Sequence, residues 1–295
     1  MQLLRVGIQG KVIGPEERKD ASLVLVIDVS GSMREGNRLE LVKDSVRILL
    51  DELGPGDEIG IVTYSSRAQN LLEPTSVENK DAILGALRGL TPQRSTNVEE
   101  GLQFGYHMAR QMNRPGWITR VILLSDGVAN VGNVEAESIL DRVRLYLEEG
   151  ITISTVDVGM GNFNDVLLER LANDGNGNYA YIDTLAEARR IFVDNIAGTL
   201  QVIARDAKVQ VDFNDEVVRR YRLLGYENRD VTDQDFRNNS VDAGEVGAGH
   251  SVTAPCTRCC STTARQATSP QSTYVMKTLK QGTSGRSGGD SPAKT

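Results

Sequence analysis

Oxygen-bearing side chains follow a run of apolar residues near the start of the chain. Asp28, Ser30 and Ser32 alternate directly after residues 23–27, and Gly31 separates the two serines. Carboxylate and hydroxyl oxygens in a tight loop are the hard ligands that Mg²⁺ and similar divalent cations prefer. Asp, Ser and Gly are also ordinary turn residues, so this segment alone fits a polar turn after a buried strand equally well. The spacing therefore suggests a metal site, and this hypothesis needs support from other segments of the chain.

Two later segments supply further oxygen ligands. Thr96 lies in a loop before a predicted helix, and Asp126 directly follows another apolar run. Each residue alone has a second explanation. Thr96 and Glu99 fit a helix capping box, which is the better explanation of Thr96 by itself. Asp126 followed by Gly127 fits a turn. Only in combination with the first three residues do these two favour a metal site.

The elements that would carry these residues alternate between strands and helices. Runs of apolar residues predict strands at 23–27, 59–64, 119–125, 151–158 and 179–182. Apolar residues at helical spacing predict helices at 39–53, 81–90, 98–112, 135–149, 164–172 and 185–200. This alternation predicts an α/β fold with a doubly wound, mostly parallel sheet over about residues 21–199. Ligands of such sheets gather outside the carboxyl ends of the strands, which would bring the oxygen-bearing side chains together.

The pattern changes after residue 200. Residues 208–213, 220–226 and 251–254 predict strands without intervening helices, and a lone alternating strand lies near Leu4. We predict that this N-terminal strand pairs with the later strands in a small antiparallel β region, so that the α/β domain is an insertion. The expected parts are an N-terminal strand and linker at 1–20, the α/β domain at 21–199, a partial C-terminal β domain at 200–254 and a disordered tail at 255–295.

Composition narrows the classes of function. The chain of 295 residues has a net charge of −7, and the tail from Pro255 contributes +5, which leaves −12 for the rest. An acidic body argues against nucleic acid as a partner and suits cation binding. No apolar run approaches the roughly 20 residues of a membrane span, and residues 1–10 do not fit a signal peptide. All three cysteines lie in the tail, so the body needs no disulfide.

In combination, the five oxygen-bearing residues resemble the metal-ion-dependent adhesion site (MIDAS) of von Willebrand factor A (VWA) domains. That site is written Asp-x-Ser-x-Ser, then a Thr, then an Asp. The matching segments are Asp28-Val29-Ser30-Gly31-Ser32, Arg94-Ser95-Thr96-Asn97 and Leu124-Ser125-Asp126-Gly127. The resemblance implies a Rossmann-like domain in which the hydroxyls of Ser30, Ser32 and Thr96 bind the metal. Asp28 and Asp126 would bind it directly or through water.

The same resemblance implies the cofactor and the partner. The cation would be Mg²⁺, with Mn²⁺ or Ca²⁺ as alternatives, and an Asp or Glu side chain of a protein partner would complete its coordination. The chain is most similar to bacterial VWA proteins that carry a further C-terminal domain of unknown function, on residues 173–184, 224–230 and 241–254. Members of that group usually have an upstream export or lipoprotein signal. This implies the cell envelope, although the chain begins without such a signal and the cytoplasm stays open.

The end of the resemblance suggests a further hypothesis. After Ala254 the family continues as a strand, whereas this chain continues as Pro255-Cys256-Thr257-Arg258. We interpret the abrupt loss of pattern as a shifted reading frame or a truncated gene. Sequencing the locus tests this, and an intact natural reading frame would refute it.

Three functions fit the sequence to different degrees. The first is a metal-dependent protein-binding module that is not an enzyme and has no catalytic residues. The second is a Mg²⁺-dependent phosphatase or phosphotransferase with Asp28 as the nucleophile. Such sites generally have a second acid two residues later, where this chain has Ser30, and no His or Lys lies near the site in sequence. The third is a chelatase-like subunit of an ATPase complex, whose ATPase must be a separate chain because this one has no P-loop. The first is the prediction.

Overall fold

The computed structural model describes residues 2–11, 17–93, 95–127, 133–159, 165–194, 202–204, 218–223, 246–247 and 251–260. The chain divides into two compact units. The larger contains residues 9–203 and 247–251, and the smaller contains the first strand together with later segments. Among the helices in these ranges, none is long and apolar enough to cross a bilayer.

The strands of the described ranges, in chain order, are β1 (Gln2–Gln9), β2 (Ala21–Asp28), β3 (Glu58–Tyr64), β4 (Ala68–Ser76), β5 (Ile118–Ser125), β6 (Ile151–Val158), β7 (Tyr179–Ile182), β8 (Val202–Ala204), β9 (Val218–Leu223), β10 (Val246–Gly247) and β11 (Ser251–Cys260). Five of them, β2, β3, β5, β6 and β7, coincide closely with predicted strands. The larger unit is built on a six-stranded sheet in the order β4-β3-β2-β5-β6-β7. Only the β3–β4 pair is antiparallel. The predicted α/β class with a mostly parallel sheet is confirmed.

Helices connect these strands. They are α1 (Arg38–Glu52), α2 (Lys80–Arg88), α3 (Val98–Met112), α4 (Asn133–Glu148), α5 (Asp165–Asp174) and α6 (Leu185–Arg189). A 3-10 segment, Gly31–Asn37, leads into α1, and α6 continues as a π-helical turn, Arg190–Asp194. The rest of the predicted helix at 185–200 lies outside the described residues.

Strand β2 is buried on both faces. Leu23, Leu25 and Ile27 belong to one hydrophobic cluster with residues of α1, α2 and α6, and Val24 and Val26 belong to a second cluster with residues of α3, α4 and α5. All five side chains are completely buried, and burying each of them stabilises the fold by about 1.5–3 kcal/mol. The sheet is therefore covered on both sides, and the carboxyl end of β2 is held in a fixed place.

Helix α3 approaches the sheet closely through two glycines. A Cβ atom at Gly101 would overlap the Tyr64 ring, and a Cβ at Gly105 would overlap Val26. Glycine removes these overlaps, so the helix backbone can lie directly against β2 and β3. This packing fixes the start of α3 and the loop that precedes it at the carboxyl edge of the sheet.

The register of the sheet aligns polar residues along that edge. Asp28 is opposite Tyr64 in the β2–β3 ladder, and Ser125 is opposite Asp157 in the β5–β6 ladder. Ile27 is opposite Leu124, which puts Asp28 and Ser125 at the same level in the adjoining β2–β5 pair. Four neighbouring strands thus end in one polar row, as the rule for parallel sheets predicts.

The smaller unit contains a three-stranded sheet in the order β1-β11-β9. The N-terminal strand therefore lies in one sheet with C-terminal strands, as predicted. Strand β11 runs through Cys260, six residues into the segment that we predicted to be disordered. Residues Cys256–Cys260 of β11 pair antiparallel with β9, which places Cys256 opposite Leu223, and a local sequence pattern does not reveal such non-local pairing. The predicted strand at 208–213 and the tail beyond 260 lie outside the described residues.

Candidate metal centre

The loop after β2 brings three of the predicted ligands together. Asp28 is completely buried, and its Oδ1 accepts a hydrogen bond of 2.7 Å from the Ser30 amide. The Oγ atoms of Ser30 and Ser32 are 3.0 Å apart. Adjacent oxygens around an octahedral Mg²⁺ with bonds of 2.0–2.1 Å are separated by about 2.9 Å. The spacing of the two hydroxyls therefore fits neighbouring positions around one such ion.

Two donors from adjoining strands hold the Asp28 carboxylate. Its Oδ2 accepts hydrogen bonds from the hydroxyls of Ser125 (2.9 Å) and Tyr64 (3.2 Å). Burial raises the pKa of Asp28, and the charge of Asp126 adds to this, while hydrogen bonds from Ser30 and Ser125 oppose it. Burial also raises the pKa of Tyr64 well above its ordinary value, so this phenol keeps its proton and remains a donor. The carboxylate is thus positioned by groups on both sides of β2.

Asp126 is paired with an arginine, Arg38, that was not predicted from the sequence. Nη1 of Arg38 donates hydrogen bonds to Oδ2 of Asp126 (2.9 Å) and to the backbone carbonyl of Ser32 (3.2 Å). The side chains of Arg38 and Asp126 are 8% and 1% exposed. A Cβ atom at Gly159 would overlap the Arg38 side chain, so the glycine leaves room for it at the end of β6. One guanidinium links the first ligand loop to Asp126.

The loop that carries Thr96 is attached to the same edge of the sheet. The Gln93 amide donates to the carbonyl of Val29 (2.6 Å), and the Asn97 amide donates to the carbonyl of Ser65 (2.7 Å). A Cβ at Gly31 would lie 3.2 Å from the Gln93 carbonyl oxygen, so the two ligand loops touch. Thr96, which is partly exposed, lies between these attachment points along the chain.

The N-terminal cap of α3 is Asn97 and not Thr96. The Asn97 side chain accepts a hydrogen bond of 3.2 Å from the Glu100 amide. The capping box of Thr96 and Glu99, which was the better explanation of Thr96 alone, is therefore wrong. The cap moved by one residue because Asn is at least as good a capping residue as Thr.

This difference separates the roles of two neighbouring residues. We expect Asn97→Ala to lower the free energy of unfolding by about 1 kcal/mol, because the α3 cap is lost, while metal binding stays. Thr96→Val should show the reverse pattern, in which stability changes little and metal binding weakens. Urea denaturation and calorimetric titration with Mn²⁺ measure the two quantities. Equal losses of stability in both variants would contradict the assignment.

The set of donors restricts the kind of metal. Across the described ranges, no three His, Cys, Asp or Glu side chains form a cluster suited to a metal. The candidate centre instead combines two carboxylates with three hydroxyls. Hydroxyl and carboxylate oxygens suit Mg²⁺, Mn²⁺ or Ca²⁺ better than soft cations. The residues present therefore fit a hard divalent cation.

Sequence reasoning missed four polar residues around the candidate ligands: Arg38, Tyr64, Ser125 and Asp157. Asp157, which is 2% exposed, is an acid between two valines near the end of β6, and that contrast was a visible signal. Tyr64 and Ser125 were placed at the ends of strands, but their contact with Asp28 depends on the strand order. For Arg38 the sequence carries no signal, because 88 residues separate it from Asp126.

Comparison with known proteins agrees with this architecture. Residues 23–128 match the von Willebrand factor type A domain family. The chain carries a VWA domain. Residues 198–286 match a family described as the C-terminal part of the uncharacterized protein YfbK, and this match includes most of the segment that we predicted to be a disordered tail. The resemblance to bacterial VWA proteins with an additional C-terminal domain is confirmed.

One curated relative and two solved structures illustrate the likeness of this VWA protein. YfbK of Escherichia coli (strain K12) is 40% identical over 251 residues, which cover 85% of this chain but only 44% of YfbK. A von Willebrand factor type A protein from Catenulispora acidiphila has a TM-score of 0.56 at 14% identity, covering 86% of this chain and 64% of the other. An aerotolerance-related membrane protein from Bacteroides fragilis has a TM-score of 0.51 at 18% identity, covering 60% and 98%. The two structures show a shared fold.

Proposed function

We propose that this VWA domain is a metal-ion-dependent module that binds an acidic side chain of a partner protein. The observation that carries the proposal is the pair of hydroxyls of Ser30 and Ser32, 3.0 Å apart, beside the buried carboxylate of Asp28. Both hydroxyls lie at the carboxyl edge of the sheet, which is where open α/β sheets bind ligands. Asp126 acts electrostatically on Asp28, which adds negative charge to the same place.

Each of the five candidate residues has a role in this proposal. Ser30, Ser32 and Thr96 offer hydroxyl oxygens to the cation, and Asp28 and Asp126 offer carboxylates directly or through water. When bound, Mg²⁺ or a similar ion supplies a coordination position that a partner's Asp or Glu can occupy. Ser125 and Tyr64 orient Asp28 by donating to its Oδ2.

The setting of Asp28 favours binding over phosphoryl transfer. Its side chain is completely buried and accepts three hydrogen bonds from Ser30, Ser125 and Tyr64. A nucleophile must instead present a lone pair to the incoming phosphorus. Because the bacterial VWA proteins that the sequence resembles are expected to carry an export or lipoprotein signal, we propose the cell envelope as the place of binding. The proposed partner is an envelope protein that offers an Asp or Glu side chain.

Calorimetric titration with Mn²⁺ and Mg²⁺, followed by capture of partners, tests the proposal. The wild-type protein should bind one divalent cation and should retain partner proteins from an envelope extract in Mg²⁺ but release them in EDTA. Asp28→Asn should lose both properties. Asp51→Asn makes the same chemical change at a side chain that is 68% exposed, and it should keep both. A wild-type protein that binds no divalent cation would refute the proposal, and turnover of a phosphate ester would favour the enzyme.

A further inference from the structure

A buried positive charge occupies the candidate metal centre. The guanidinium of Arg38 carries a positive charge and donates to Asp126 at 2.9 Å, and the two side chains are only 8% and 1% exposed. A neighbouring cation of like sign opposes the binding of a divalent cation, and it does so more strongly where water is excluded. This charge lies within reach of a candidate ligand, so its effect on the metal is direct.

We infer that Arg38 is an internal cation that competes with the metal for Asp126 and thereby couples metal binding to the arrival of an acidic partner. This inference rests on the proposed metal-dependent binding. The carboxylates of Asp28 and Asp126 attract a divalent cation, and the charge of Arg38 opposes it; Asp157, a further buried acid near the end of β6, adds negative charge to the same edge of the sheet. Without Arg38 the centre is more negative, so it attracts the cation more strongly and favours a partner's carboxylate less.

The surroundings keep the guanidinium in this position. Nη1 of Arg38 also donates to the carbonyl of Ser32, so the arginine contacts the loop of the first ligands as well as Asp126. The side chain passes beside Gly159, where any Cβ atom would overlap it. Glu35, whose side chain is 77% exposed, lies 3.8 Å from Nη1 and offers the arginine a second carboxylate near the surface. A guanidinium that leaves Asp126 thus has an acceptor within its reach.

Two neutral substitutions of Arg38 test the inference by calorimetric titration with Mn²⁺. Arg38→Gln and Arg38→Met should each bind Mn²⁺ at least about tenfold more tightly than the wild type, because a like charge beside the metal is removed. Arg38→Lys keeps the charge and should stay within about threefold of the wild type. Arg47→Gln makes the same change of net charge at an exposed arginine of α1, paired with Asp44, and should bind like the wild type.

A second measurement separates competition from a purely structural role. A short end-blocked peptide whose only charged side chain is one Glu should tighten Mn²⁺ binding to the wild type by at least about threefold, compared with the same peptide carrying Gln. This ratio should fall towards one in Arg38→Gln, because the centre no longer needs the extra negative charge. A residue that only supports the fold would change stability and leave the ratio unchanged.

The outcomes distinguish failure of the inference from failure of the proposed function. If the wild type binds Mn²⁺ and both neutral variants bind it equally well or more weakly, the inference is overturned. The metal site would still be supported, and Arg38 would be a residue that positions Asp126. Binding of Mn²⁺ by none of the proteins would overturn both. If neither neutral variant folds in EDTA, each is titrated with Mn²⁺ and followed by far-UV circular dichroism. The Mn²⁺ concentration that restores the folded signal then replaces the calorimetric value. If millimolar Mn²⁺ does not restore this signal, the inference is overturned.

Discussion

Replacement of Asp126 by alanine should lower the free energy of unfolding of the metal-free protein by about 3–5 kcal/mol, which is the usual cost of breaking a buried ion pair from one side. The variant leaves the guanidinium of Arg38 buried without the carboxylate that it meets at 2.9 Å. Urea denaturation in EDTA measures the loss. Asp44→Ala removes a carboxylate that is 43% exposed and paired with Arg47, and it should change the stability by less than about 1 kcal/mol.

A double variant shows whether this loss of stability arises because the Arg38 charge stays buried without the Asp126 carboxylate. Asp126→Ala combined with Arg38→Met replaces the pair by apolar side chains, and such exchanges are often neutral or stabilising. The double variant should therefore be more stable than Asp126→Ala alone. If the second substitution lowers stability further instead, the arginine contributes through contacts other than its pair with Asp126, such as its bond to the Ser32 carbonyl.

The sheet was predictable from the sequence where single strands carry their own signal. Strands β2 and β5 are buried on both faces, so a continuous apolar run marks each of them. Strand β4 was missed, because it lies at the edge of the sheet and most of its residues are exposed or half-buried. Its formation depends on the antiparallel ladder with β3, which the local pattern of residues 68–76 does not contain.

The candidate site was predictable to the extent that its residues stand at the ends of strands. Asp28 and Asp126 follow apolar runs, and the rule for parallel sheets places both at one edge. The electrostatic setting was not predictable in this way. The contact of Tyr64 with Asp28 requires the β2–β3 register, and the contact of Arg38 with Asp126 requires the 3-10 segment that leads from the first ligand loop into α1. The chemistry of the ligands is therefore local, whereas the charges that regulate their affinity arise from the fold.

Asp28→Asn should make the metal-free protein more stable at neutral pH and should remove its response to metal. Alanine at this position would instead leave the donors Ser30, Ser125 and Tyr64 without their acceptor. Asparagine keeps the shape, its oxygen can accept from the Ser30 amide, and its NH2 group can donate to the hydroxyl oxygens of Ser125 and Tyr64. Saturating Mn²⁺, at about 100 times Kd, should add about 2.7 kcal/mol to the stability of the wild type and none to that of the variant.

The dependence on pH follows from the raised pKa of Asp28. Because burial raises this pKa in the folded state, the folded protein holds the proton at pH values where the unfolded chain has released it. Stability is then lost as the pH rises from the ordinary Asp pKa through the raised one, and the loss remains at higher pH. The stability difference between Asp28→Asn and the wild type in EDTA should therefore grow with pH across this interval and then stay constant. Asp51→Asn should show no such growth. If Asp28→Asn is less stable than the wild type at pH 7, the hydrogen bonds to the Asp28 carboxylate outweigh the cost of its burial.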